Sequence, residues 1–262
     1  MPFASFQNCE VEYSVAGEGK GLVLIHGTGQ SAENTWPEVV KYFSQNRKVV
    51  CPNYSGTGKT TDNGEELTVV FLAEQVLAAA DHAGLDSFDV VGHSLGTCVA
   101  MYLAAHYPAR VNKVGLLAGF TSTEDARSQL QFKMWKTMAE TNPALLAEMF
   151  LFTAFSDSVV TNMPDSAAEF ATKKIYKTTN WKGAIRQIEL DLRVNVAKEA
   201  QEMQQKTLII GCKHDFIVPI SHSHKLREII KNNQYVELDT GHAGVVENPE
   251  QFIGYLGEFL GK

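Results

Sequence analysis

Phe88-Asp89-Val90-Val91-Gly92-His93-Ser94-Leu95-Gly96 runs as a short apolar strand pattern into a glycine-flanked turn, and residues 97–107 continue with helical character. A nucleophile elbow needs this layout, because the turn from strand to helix holds its central residue in a strained backbone conformation. A side chain two positions away on either flank would collide with the neighbouring backbone, hence the glycines. Ser94 would then project its hydroxyl into a pocket. The pentapeptide alone is equally compatible with a glycine-rich turn that carries a surface serine. Partners elsewhere in the chain decide between the two.

Two partners stand in matched loops. The buried-strand pattern Thr207-Leu208-Ile209-Ile210-Gly211 leads into Cys212-Lys213-His214-Asp215, which puts a carboxylate just past a strand end. Tyr235-Val236-Glu237-Leu238 leads into Asp239-Thr240-Gly241-His242, ahead of a terminal helix opened by Glu247-Asn248-Pro249. Asp215 is the expected orienting acid and His242 the expected base. Their chain order, Ser then Asp then His, is that of the α/β-hydrolase arrangement and not of the chymotrypsin or subtilisin types. Other acids are less well placed: Asp191 lies in a helical stretch, Asp239 on the approach to His242, and Asp89 in the strand before the elbow.

A fourth piece lies upstream, where Gly21-Leu22-Val23-Leu24-Ile25 reads as a buried strand ending in His26-Gly27-Thr28-Gly29-Gln30. Together these segments make the chain resemble the α/β-hydrolase superfamily over nearly its whole length, and small serine esterases, thioesterases and carbon–carbon hydrolases match best. The resemblance implies an α/β fold: a mostly parallel central sheet with helices on both faces and a helical lid. It assigns the oxyanion donors to the backbone N–H groups of Thr28 and Leu95, where one such donor is worth about 3–4 kcal/mol in an acyl-transfer transition state. It also makes His26 a brace of the oxyanion loop. One departure stands out. After the strand Lys48-Val49-Val50-Cys51 the family commonly carries an Asp and an Arg, where this chain has Asn53 and Ser55.

That same loop mimics a phosphate-binding motif in Gly58-Lys59-Thr60. The glycine required five residues earlier is Asn53, and the turn signal Thr61-Asp62-Asn63-Gly64 follows where a helix should begin. Nucleotide binding is excluded on both grounds. The formal charge of −7 opposes attraction to nucleic acid or anionic membranes. No apolar run approaches the roughly 18 residues of a spanning helix, and the start Met1-Pro2-Phe3-Ala4-Ser5 does not read as a secretion signal. Four cysteines, Cys9, Cys51, Cys98 and Cys212, are scattered singly, which fits buried thiols better than a disulfide framework or a metal site. A cytoplasmic location is expected, with no metal and no cofactor. Oligomeric state is not legible.

With 262 residues the chain can form one large domain. Apolar strands alternate with amphipathic stretches such as 68–84 until residue 118, and from there to 206 only helical patterns appear. This interval coincides with the family's lid insertion. It is rich in Phe132, Met134, Trp135, Met138, Met149, Phe150, Phe152, Phe155 and Met163. From the helical spacings Leu130, Met134, Met138 and Leu145, Met149, Phe152, the residues expected to line an apolar pocket are Met134, Trp135, Met138, Met149 and Phe152, although any one of them could instead pack lid against core. Trp181 and Arg186 are further candidates for polar substrate contact.

The expected activity is therefore that of a serine hydrolase cleaving a carboxylic ester or thioester through an acyl-enzyme, on a small apolar acyl or aromatic substrate. Two alternatives stay open. The same triad serves carbon–carbon hydrolysis of a diketone-like substrate, and some proteins on this scaffold are ligand receptors with weak turnover. A dehalogenase or epoxide hydrolase is disfavoured, since those relatives carry an aspartate where this chain has Ser94.

Overall fold

Every residue of the strand Phe88–His93 is buried, as its run of Phe, Val and Val demands of a strand covered on both faces. The reason is its place in the computed structural model, which describes residues 1–261. Ahead of that strand come β1 (Phe3–Phe6), β2 (Cys9–Ala16), β3 (Lys20–Ile25), α1 (Ala32–Thr35), α2 (Pro37–Phe43), β4 (Arg47–Pro52) and α3 (Val69–His82). The strand itself is β5, followed by α4 (Leu95–His106) and β6 (Val111–Leu117). Six helices then interrupt the strand rhythm: α5 (Ala126–Thr141), α6 (Pro143–Ala154), α7 (Asp157–Thr161), α8 (Asp165–Thr178), α9 (Trp181–Asp191) and α10 (Ala197–Glu202). The chain closes with β7 (Lys206–Cys212), α11 (Ile220–Ile229), β8 (Asn233–Leu238), α12 (Gly244–Glu247) and α13 (Pro249–Leu260).

The eight strands form one sheet in the order β1-β2-β4-β3-β5-β6-β7-β8. β1 and β2 pair antiparallel at one edge and β2 meets β4 antiparallel, whereas β4 through β8 run parallel. Each face has its own apolar layer. On one, Leu72, Val76, Val99, Leu103 and Leu226 from α3, α4 and α11 cover the sheet; on the other, Val39, Phe43, Phe252 and Leu256 from α2 and α13 do so. Local signals set the helix ends. Thr68 caps α3 by accepting the Phe71 N–H, and Asn248 caps α13 just before Pro249.

Register decides where the chemistry sits. Ile25 pairs with Gly92, Gly92 with Leu116, and Cys212 with Leu238, so the loops after β3, β5, β7 and β8 all emerge at the carboxyl edge of the parallel strands. Ligands in open α/β sheets bind outside that edge. Among the described residues, no helix is long and apolar enough to cross a membrane.

Candidate active site

Ser94 has φ 54° and ψ −123°, a backbone region that L-residues avoid, and it sits between β5 and α4. Such strain costs of order 1–3 kcal/mol and persists only where the surroundings over-determine it. They do here: the Ser94 N–H donates to the Leu117 carbonyl at 3.0 Å, and the Ser94 carbonyl accepts from the Thr97 hydroxyl at 2.6 Å. A Cβ on Gly92 would fall on the Gly96 carbonyl, and one on Gly96 on the carbonyls of Ile25 and His26. The two glycines are therefore a packing necessity.

Asp215 follows β7 and His242 follows β8, and the two side chains meet. His242 Nδ1 lies 2.7 Å from Asp215 Oδ2, with both groups buried. The other carboxylate oxygen, Oδ1, accepts the N–H groups of Ile217 at 2.8 Å and Val218 at 2.7 Å. A carboxylate so held can accept only at Oδ2, which assigns the imidazole proton to Nδ1 and leaves Nε2 as an acceptor. The competing acids are engaged elsewhere. Asp239 is exposed and meets His214, Asp89 forms a buried ion pair with Arg47 at 2.6 Å, and Glu124 accepts from Asn195. Asp191 accepts the Thr28 hydroxyl at 2.6 Å.

Thr28 lies in the turn after β3, where the Gln30 N–H closes on the Gly27 carbonyl at 3.2 Å. Leu95 is the first residue of α4, whose helix dipole is positive at that end. Among the described residues, the N–H groups of Thr28 and Leu95 donate to no protein acceptor. His26 braces the loop from beneath. Its Nδ1–H donates to the Gly27 carbonyl at 2.8 Å, its ring lies tilted against Tyr54 with centroids 4.1 Å apart, and burial lowers its pKa to about 4, so it is neutral. The Asp and Arg missing from the loop after β4 are replaced by hydrogen bonds of uncharged side chains, and the Asn53 amide donates to the Glu12 and Glu33 carboxylates at 3.3 Å. Asn53 accepts the Ala32 N–H at 2.9 Å, and Ser55 exchanges bonds with Gln75 at 2.8 and 2.7 Å.

His93, the variable position of the elbow, takes on a role its sequence does not signal. Its Nε2–H donates to the His242 carbonyl at 3.0 Å, and the two rings lie 4.8 Å apart. Burial and the neighbouring His242 depress its pKa to about 3, so it remains a neutral support beside the His242 ring. A sequence offers no sign of this contact, since the partners are 149 positions apart.

Ser94, His242 and Thr28 open on one cavity of about 260 Å³. Its far walls come from the inserted helices, chiefly Phe132, Trp135, Phe150 and Ile175, with Lys174 at the rim. Phe132, Trp135 and Phe150 form an edge-to-face chain with centroids 5.3 and 4.8 Å apart. Of the five expected pocket residues only Trp135 reaches this wall. Met134 and Phe152 are 55% and 65% exposed, and Met138 and Met149 pack against the core outside the cavity. The physical reason is helical phase: Phe132, Trp135 and Ala139 of α5, and Leu146, Phe150 and Leu151 of α6, form the inward stripes, which turns Met134 and Phe152 to solvent. Trp181 stacks behind Phe150 at 6.3 Å, and Arg186 is spent on Asp62 at 2.8 Å, so neither reaches the cavity.

Comparison with known proteins agrees with this architecture. Residues 21–249 match the family profile described as alpha/beta hydrolase fold. Pyrrolizixenacetamide deacetylase from Xenorhabdus hominickii is 40% identical over 253 residues, which covers 97% of this chain and 95% of that protein. Among solved structures, the enol-lactonase from Burkholderia xenovorans LB400 superposes with a TM-score of 0.90 at 21% identity, covering all of both chains. The α/β hydrolase MGS-M2 from a deep-sea metagenome library does so at 0.91 and 22%, covering 99% of this chain and 97% of the other. At those identities the two structures speak for the fold alone.

Proposed function

The chain belongs to the α/β-hydrolase fold family, and from that premise we propose that it is a serine hydrolase removing a short acyl group from a small, largely apolar ester or amide. Ser94 Oγ attacks the acyl carbon as His242 Nε2 takes the hydroxyl proton. Asp215 holds Nδ1–H and stabilises the imidazolium that forms. The N–H groups of Thr28 and Leu95 receive the charge that develops on the carbonyl oxygen. His242 then returns the proton to the leaving group, and water, activated by the same base, releases the acid. The observation that carries this reading is the 2.7 Å bond between His242 and Asp215 beside a serine held in a strained turn on the same cavity.

Cavity size and relatedness narrow the substrate. About 260 Å³ lies below the ~300–1,000 Å³ of pockets for drug-sized ligands, which favours an acetyl-sized acyl group on a compact, partly aromatic or aliphatic body. The 40% identical relative is a deacetylase by name, which adds amides to the esters and thioesters expected from the sequence. Four buried cysteines, none in a disulfide, support a cytoplasmic location.

The test is steady-state hydrolysis of p-nitrophenyl acetate, an acetanilide and an acetyl thioester, beside labelling with a fluorophosphonate. Repeated turnover is expected, and Ser94→Ala should abolish labelling and lower kcat by roughly four to six orders of magnitude. Labelling that survives the substitution removes Ser94 as the nucleophile. A single acylation without further turnover would instead indicate a receptor.

A further inference from the structure

The loop that carries the Thr28 N–H is flanked by Gly27 and Gly29, so the backbone supplies little rigidity of its own. A transition-state donor is useful only if it is fixed before the charge appears. We infer that the inserted helix α9 supplies that fixation, through Asp191 and Gln187 acting as positioning residues for the Thr28 oxyanion donor. The inference rests on the serine-hydrolase reading of this site.

Gln187 and Asp191 stand four apart, on one face of α9. Gln187 Oε1 accepts the Gly29 N–H at 2.8 Å, and Asp191 Oδ2 accepts the Thr28 hydroxyl at 2.6 Å. The Thr28 hydroxyl is thereby turned away from the cavity, while its N–H keeps no protein acceptor among the described residues. Gln187 also ties the helix down, since its Nε2 donates to the Ser55 carbonyl at 3.0 Å and to the Thr57 hydroxyl at 2.9 Å. Beside it, Gly183 packs directly on the Gly56 backbone, and Arg186 grips Asp62. The helix is thus anchored to the loop after β4 and passes that rigidity to the loop after β3.

The charge state of Asp191 matters to this device. An ionised carboxylate hydrogen-bonded to the residue that carries the oxyanion donor would oppose the negative charge that the donor is there to receive. Burial pushes the Asp191 carboxyl up to about 8, only partly offset by the Thr28 hydroxyl. The titratable groups around it, Tyr54 of the loop after β4 and Cys98 of α4, are held neutral by burial, and from the segment after β6 it meets only the Thr123 hydroxyl, on its backbone carbonyl. At neutral pH the clamp is therefore uncharged.

The experiment measures kcat and KM for p-nitrophenyl acetate, and inhibition by a short alkyl trifluoromethyl ketone, in wild type, Gln187→Ala, Asp191→Ala and Asp191→Asn. Both alanine variants should lose roughly 10- to 100-fold in kcat, as for a misplaced catalytic group, with KM within threefold, and should weaken the ketone by the same factor. Asp191→Asn keeps an acceptor oxygen and should recover most of that loss. It should also abolish the fall in kcat expected of wild type as Asp191 ionises at alkaline pH. Folded alanine variants with unchanged kcat, or with a change confined to KM, overturn the inference. If Asp191→Ala does not fold, Thr28→Val decides: it removes the hydroxyl that Asp191 holds and should weaken the ketone as Gln187→Ala does, and a folded Thr28→Val that binds the ketone as wild type does overturns the inference. A wild-type rate that survives Ser94→Ala overturns the hydrolase reading itself, which separates the two failures.

Discussion

Asp191→Asn should make the protein more stable, and increasingly so as pH rises. The carboxyl is 1% exposed and its pKa moves from 3.8 to about 8 because burial disfavours the charged form. Below about pH 4 it is protonated in both folded and unfolded chains, so it contributes nothing to the pH dependence there. Between about 4 and 8 the unfolded chain releases the proton and the folded chain keeps it. The unfolded state then binds fewer protons, and stability falls with rising pH. At about 1.4 kcal/mol per pH unit, the loss is small at pH 5 and grows to on the order of several kcal/mol above pH 8. Asparagine occupies the same volume, can still accept the Thr28 hydroxyl, and has no proton to lose. The gap between variant and wild type, read from urea unfolding at pH 5, 7 and 9, should widen in that sequence. For a chain of this size a gap near 5 kcal/mol corresponds to roughly 10 °C in Tm. A gap that stays constant with pH, or a wild type more stable at pH 9, would refute the neutral buried carboxyl.

Three further outcomes follow from the same geometry. Asp215→Asn should leave the fold intact and reduce kcat by about 10⁴, because the amide can hold the wrong tautomer of His242; a larger loss from Asp239→Asn would mean the acid is misassigned. Trp135→Ala should shift the rate ratio between acetyl and hexanoyl esters by ~1–3 kcal/mol toward the longer chain, whereas Phe152→Ala should leave both that ratio and stability within about 0.5 kcal/mol. Equal behaviour of these two variants would place the wrong stripe in the cavity. Gly183→Ala puts a methyl on the Gly56 carbonyl and should cost about 1–3 kcal/mol by overpacking, with kcat falling as α9 is pushed off its seat. A neutral result in both melting and turnover would show that this contact does not hold the helix.

What could be read from the chain was what is encoded locally. The elbow announces itself because strand, two glycines and helix are contiguous, and because backbone collision at Gly92 and Gly96 leaves no other residue type. Thr68 ahead of α3 and Asn248-Pro249 ahead of α13 are equally local. The inserted helices defeated the same approach for a definite reason. α5 and α6 are apolar on two faces, so the stripes Leu130, Met134 and Leu145, Phe152 look as regular as the stripes Phe132, Trp135 and Leu146, Phe150 that the cavity uses. Periodicity finds a face but does not say which of two faces meets the core. His93, Gln187 and Asp191 were illegible for another reason. Their partners lie 149, 158 and 163 residues away, and the types involved, a histidine, an amide and a carboxylate in helical or variable positions, are ordinary there.

The same long-range bonds change what the insertion is. Helices that move freely over a cavity should touch the loops at the sheet edge weakly, yet these are tied to two of them. α9 holds the loop after β3, and the end of α6 holds the loop after β8: the Ala243 N–H donates to the Ala154 carbonyl at 2.7 Å, and Glu247 gathers the N–H groups of Ser156 and Gly241 at 2.9 and 3.0 Å. A Cβ on Gly241 would fall on the Phe155 backbone, which leaves no room for slack at this joint. Moving the insertion as a body would therefore displace Thr28 and His242 together. α8 has no buried residue and lines the rim through Lys174 and Ile175, packing on α6 rather than on either of these loops. On the proposed reading α5, α6 and α8 border the substrate space, while α9 and the same α6, at its terminus, hold the loops that carry Thr28 and His242.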